Sequence, residues 1–119
     1  MKTVKVTTDN RISVIDVDFD NFRSIQKAIG GHFEIVHTQK MSKYFGSPVL
    51  MLCDERGHIK GLPVNAVGSY FYDTIRRGHF IAGDIMFSVP DGELLQGLED
   101  AGEFKNRLMT DFQFLKEEG

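Results

Sequence analysis

Apolar positions change their period several times along the chain, and each change marks an element. Residues 3–8, TVKVTT, alternate β-branched and polar positions and predict a first strand with Val4 and Val6 on one face. Asp9-Asn10 supplies a turn, and residues 12–17 a second strand paired to the first as a hairpin. In that strand Ile12 and Val14 share one face while Ile15 and Val17 fall on the other, which requires either a bulge or burial on both faces. Phe22, Ile25 and Ile29 form a helical stripe within residues 19–29, with Asp18 or Asp20 as the capping residue. Gly30-Gly31 ends that helix. Residues 32–38 return to period two, with Phe33, Ile35 and His37 on one face and His32, Glu34 and Val36 on the other. Residues 39–47 read as a polar, flexible loop.

The run from Val49 to Asn65 is the predicted centre of the fold. Residues 49–53 are an apolar strand, Asp54-Glu55-Arg56-Gly57 a polar turn, and residues 58–62 a returning strand that Pro63 ends. Asn65 opens a short helix or irregular loop that closes near Arg76-Arg77-Gly78. Residues 79–89 predict a strand with a bulge or tight turn at Gly83-Asp84. Residues 91–100 predict a short helix, and residues 103–117 a longer one striped by Phe104, Leu108, Phe112 and Leu115. The expected fold is α+β in one domain, residues 1–119. It has a mainly antiparallel sheet of four or more strands, one internal helix and a C-terminal helical extension over residues 91–117.

Composition narrows the class. With 14 Lys and Arg against 17 Asp and Glu, the formal net charge is −3, which argues against a general nucleic-acid binder. Cys53 is the single cysteine, so no internal disulfide forms and a reducing compartment fits. No apolar run approaches the roughly 20 residues that a membrane-spanning helix needs, and no secretory signal is visible, so a cytoplasmic protein is expected.

Each candidate constellation has a plainer reading beside it. Gly30-Gly31 follow a helix, where the dipole repels anions, so they cap rather than cradle phosphate. His32, His37, His58 and His79 lack the spacing of a metal site, and no metal or cofactor is expected. Glu34 and Glu55 read as solvated charges, and Cys53 as a buried, inert thiol. The remaining candidates are Lys43, Arg76 and Arg77, whose charge suits an anion, and Tyr44 and Tyr70, whose rings suit a base. Asn65 joins them as a polar reader, with capping of the next helix as the plainer and favoured reading. Surplus phenylalanines, Phe112 and Phe114 above all, predict a homodimer or higher oligomer.

Three stretches, SIQKAIGGHFEIV, CDERGHIKGLPVN and IAGDIMF, together resemble the DUF3846 family, a domain of unknown function found in small proteins of phages, prophages and mobile elements. The shared features are Gln26, Gly30-Gly31, Phe33-Glu34, Asp54-Glu55 with Gly57, Leu62-Pro63 with Asn65, and Gly83. The resemblance covers residues 12–89, with His32 where an aromatic is expected, and leaves out the C-terminal helices. It implies a phage-type accessory protein and assigns no catalytic residue. The expected function is therefore non-enzymatic: counter-defence by sequestering a nucleotide-like molecule. The alternatives are a module that blocks a host protein and, third, a small hydrolase built on Glu34 and Asp84.

Overall fold

β1 (Lys2–Val6) and β2 (Arg11–Asp16) form the expected hairpin, in register from Lys2↔Asp16 to Val6↔Ile12. Asn10 takes a φ of 63° in the turn, a conformation asparagine tolerates better than most residues. The computed structural model describes residues 1–118. Its other strands are β3 (Phe33–Val36), β4 (Leu50–Asp54), β5 (Ile85–Asp91), β6 (Leu94–Gln96) and β7 (Lys116–Glu117). They make a seven-stranded sheet in the order β3-β4-β5-β1-β2-β7, with β6 attached to the end of β5. All pairings are antiparallel except β2 with β7.

Helices cover both faces. α1 (Phe22–Ile29) packs Ile25 and Ile29 against Leu52 and Met86 on one face. On the other, α2 (Gln39–Phe45), α3 (Ala66–Tyr72) and α5 (Ala101–Asp111) cover Val4, Val6, Ile12, Met51, Ile85 and Phe87. α4 (Thr74–Arg77) is a single turn after α3. The two-sided cover accounts for the face switch in β2. Ile12 and Val14 face the larger core, Ile15 and Val17 face α1, and the register carries no bulge.

The structure corrects several sequence expectations. The central hairpin does not form: residues 55–61 are consecutive turns, and β4 pairs with β3 on one side and β5 on the other. Those two apolar strands take both edges of β4, leaving none for residues 58–62, whose two apolar residues, Ile59 and Leu62, could not compete. Residues 39–47 contain α2, capped by the Thr38 hydroxyl at the Met41 N–H and closed by Gly46 at a φ of 66°. Asn21, rather than Asp18 or Asp20, caps α1, accepting from the Arg23 N–H at 2.9 Å. Residues 91–96 are no helix. Gly92-Glu93 turns β5 into β6, with Gly92 at a φ of 63°. The last helix stops at Asp111, and Leu115 reaches the core from beyond it. The internal helices are therefore α1 to α4, where a single one was expected.

Candidate functional site

Several of the residues that carry the family resemblance, Gly30-Gly31, Leu62-Pro63 and Gly83, gather at one node around Asp54. This carboxylate, buried at the end of β4, accepts from Lys60 Nζ at 2.6 Å and from the Arg56 N–H at 2.8 Å. Burial pushes its pKa up, but the hydrogen bonds from Lys60 and Arg56 and the nearby positive charge outweigh that, so it titrates below the ordinary carboxylate range. Lys60 also donates to the Gly30 carbonyl at 3.2 Å, tying the end of α1 to β4. A Cβ on Gly31 would lie 2.5 Å from Lys60 Nζ, and one on Gly57 would lie 2.3 Å from the Ala82 carbonyl oxygen. Asn65 closes the node from the far side. It is fully buried, its Nδ2 donates to the Val6 and Gly83 carbonyls at 3.0 Å each, and its Oδ1 accepts from the Gly68 N–H at 2.9 Å. Asp54, the glycines and Asn65 hold turns together.

Two cavities flank this node. One, of about 200 Å³, is lined by Glu34, Cys53, Glu55, His58, Tyr72 and His79 among others. It brings Glu34 and Glu55 to one cavity, which their places in the sequence did not suggest. Burial and the neighbouring Glu34 push the Cys53 thiol up to about 12, so it stays protonated and is no nucleophile at neutral pH. No group of three or more His, Cys, Asp or Glu suited to a metal ion occurs among the described residues. Asp84 lines a separate cavity of about 260 Å³, where it accepts from the Thr8 N–H at 3.1 Å and pairs with Lys5 at 3.6 Å. Glu34 and Asp84 thus do not line a shared cavity.

The residues proposed for an anionic ligand are scattered among internal partners. α2 and α3 do lie side by side, joined by the Thr38 hydroxyl donating to the Phe71 carbonyl at 2.6 Å. Tyr44 donates to Asp111, with the Arg107 guanidinium 4.2 Å over its ring, and burial and Asp111 hold the phenol above its ordinary pKa. Tyr70 packs edge-on against Phe71 and Phe112, with Lys40 Nζ 3.7 Å over its ring. Arg76 pairs with Asp73 at 3.8 Å, and Arg77 lies over Tyr72 at 5.3 Å. Lys43 is exposed on α2, and Asn65 has its whole side chain committed to the backbone. None of these six lines either cavity at the node.

An apolar groove that the sequence did not reveal lies on the α1 face. It measures about 230 Å³ and runs between α1, β3 and β6, walled by Phe19, Phe22, Phe33, Ile35, Leu94 and Leu95. Phe22 belongs to the predicted α1 stripe yet is 70 % exposed, and Ile35 and Leu94 are 52 % and 64 % exposed. Ile59 and Ile75 are more exposed still but line none of these cavities; isolated apolar exposure is ordinary. What distinguishes the groove is convergence from three elements distant in sequence. Phe22 is the first residue of α1, and its ring lies 6.0 Å from that of Phe33.

The fold and groove describe an α+β protein with a two-sided antiparallel sheet and an open apolar edge. The family profile of the domain of unknown function DUF3846 matches residues 1–109, and the chain belongs to that family. The match is wider than the expected 12–89: it takes in the β1–β2 hairpin and most of α5, so the C-terminal helix does share in the family. No curated protein and no solved structure gives a significant match.

Proposed function

We propose that this chain is a non-enzymatic interaction module that docks a protein partner on the groove between α1, β3 and β6. The observation that carries this reading is the convergence of Phe22, Ile35 and Leu94, all exposed, on one groove. Contiguous exposed apolar surface costs solubility and marks a binding face when nothing internal covers it. The nucleotide-sequestering alternative has less behind it, since Arg76, Arg77 and Lys40 are already engaged by Asp73, Tyr72 and Tyr70. The phage setting implied by the family resemblance makes a bacterial host protein the natural partner class, met in the host cytoplasm. The test is paired capture from host lysate with the wild-type chain and a Phe22→Asp/Leu94→Asp double variant. A partner retained by the first and lost by the second, with unchanged melting temperature, supports the reading. A nucleotide that raises the melting temperature, and does so less in Arg76→Ala, would replace it with sequestration.

A further inference from the structure

The groove borders a free strand edge. β3 is the terminal strand of the sheet, and among the described residues its only strand partner is β4. The Glu55 N–H donates to the His32 carbonyl at 2.9 Å, so His32 and Glu55 are a hydrogen-bonded pair. Antiparallel pairs alternate, so Glu34 and Val36 also direct their backbone groups at β4. Phe33 and Ile35 direct theirs outward. These four outward N–H and C=O groups have no partner among the described residues. Building on the interaction-module reading above, we infer that β3 adds an extended segment of a partner protein as a further strand, by β-augmentation.

The two faces of β3 specify the chemistry of that segment. Residues directly opposite each other across a ladder share a face. Partner residues opposite Phe33 and Ile35 therefore face the groove and must be apolar. The residue between them lies opposite Glu34, on the face of the cavity that Glu55 also lines. Neither Glu34 nor Glu55 forms an ion pair among the described residues. The fitting segment reads apolar–basic–apolar, with Lys or Arg at the centre. A second copy of this chain fits less well. Pairing β3 with itself about Glu34 sets two carboxylates opposite each other, between chains that each carry a net charge of −3.

The experiment titrates the full-length, isotope-labelled protein with three short peptides: alternating Val and Lys, alternating Val and Glu, and the Val/Lys peptide N-methylated at alternate residues. The Val/Lys peptide should shift the amides of residues 33–36 and bind at least tenfold tighter than the other two, with affinity falling as salt is added. Ile35→Pro removes one outward donor at an edge position that accepts proline, and should abolish binding while the melt shows the fold intact. Equal binding of the N-methylated peptide, lost in Phe22→Asp, would overturn strand addition and leave the groove reading standing. Absence of amide shifts with all three peptides would overturn the inference. So would a dimer in sedimentation that Ile35→Pro dissociates, which would assign the edge to a second copy.

Discussion

Asn65→Ala is the sharpest probe of the node, because this one side chain serves three backbone groups. Its Nδ2 satisfies the Val6 carbonyl at the end of β1 and the Gly83 carbonyl before β5, and its Oδ1 caps α3 at the Gly68 N–H. Alanine would leave the Gly83 carbonyl and the Gly68 amide unpaired, and would take from the Val6 carbonyl the bond it holds beyond its ladder pairing with Ile85. An orphaned buried polar group costs about 1–3 kcal/mol, and loss of an N-cap about 1 kcal/mol. Taking the low end for the Gly83 carbonyl, the usual cost for the cap and up to about 1 kcal/mol for the second bond to Val6, the expected loss is roughly 2–4 kcal/mol. That is a large share of the 5–15 kcal/mol by which domains are ordinarily stable. Urea unfolding followed by circular dichroism measures it, provided wild type and variant share the same slope. Asn65→Asp separates the roles: it keeps the cap but turns the two donors into a carboxylate facing two carbonyls. At neutral pH it should lose at least as much as Asn65→Ala. A loss below about 1 kcal/mol for alanine, or a near-wild-type aspartate variant, would refute the tie and leave only an ordinary cap.

Three further outcomes follow from the same region. Gly57→Ala should cost more than Gly30→Ala in thermal melts. The first puts a Cβ 2.3 Å from the Ala82 oxygen, while the second meets nothing within 4 Å and bears only the strain of a φ of 98°, about 1–2 kcal/mol. Asp54 titrates below the ordinary carboxylate value of 3.8, so its contribution is fully present above that pH and is lost as pH falls through the lower folded value. Stability should decline in that acid range, and Asp54→Asn should flatten the decline. Cys53 should resist a thiol reagent at pH 8 in the native protein and react promptly in denaturant, because burial and Glu34 hold its pKa at about 12.

Legibility tracked the range of the interactions involved. The β1–β2 hairpin, the α1 stripe and the Gly30 cap rest on neighbours in sequence, and all three were readable. The Asn65 cap was readable for the same reason, but its ties to Val6 and Gly83 were not. α2 was missed although Thr38 and Gly46 bracket it with proper cap chemistry. Its polar residues hid Met41 and Phe45, four apart and turned to the core. The β5–β6 hairpin was read as a helix interrupted by Gly92, although Gly92 is the residue that opens its two-residue turn. The false hairpin at residues 58–62 failed through competition, since β3 and β5 lie far from β4 in sequence and hold both its edges. The groove is the extreme case. Phe22, Ile35 and Leu94 belong to three separate segments, and no local period links them; Phe22 reads only as part of the α1 stripe.

The open edge of β3 also explains a combination that would otherwise be hazardous. Exposed strand edges invite pairing between like molecules, and proteins guard them by shortening the strand or placing charge on it. β3 is four residues long and carries Glu34 at its middle. Shortness limits the ladder to the outward groups of Phe33 and Ile35, too few for backbone pairing alone to hold a partner. Affinity must then come from side chains, and on the groove face those contacts are apolar. Glu34 acts on the other face, where it disfavours the chain's own β3 and favours a basic residue. Under this reading a single carboxylate sets what the edge rejects and what it accepts. Glu34→Lys should therefore reverse the preference between the Val/Lys and Val/Glu peptides without moving the site. Nuclear magnetic resonance titration checks both parts. An unchanged preference would mean that the charge at this position does not select the partner.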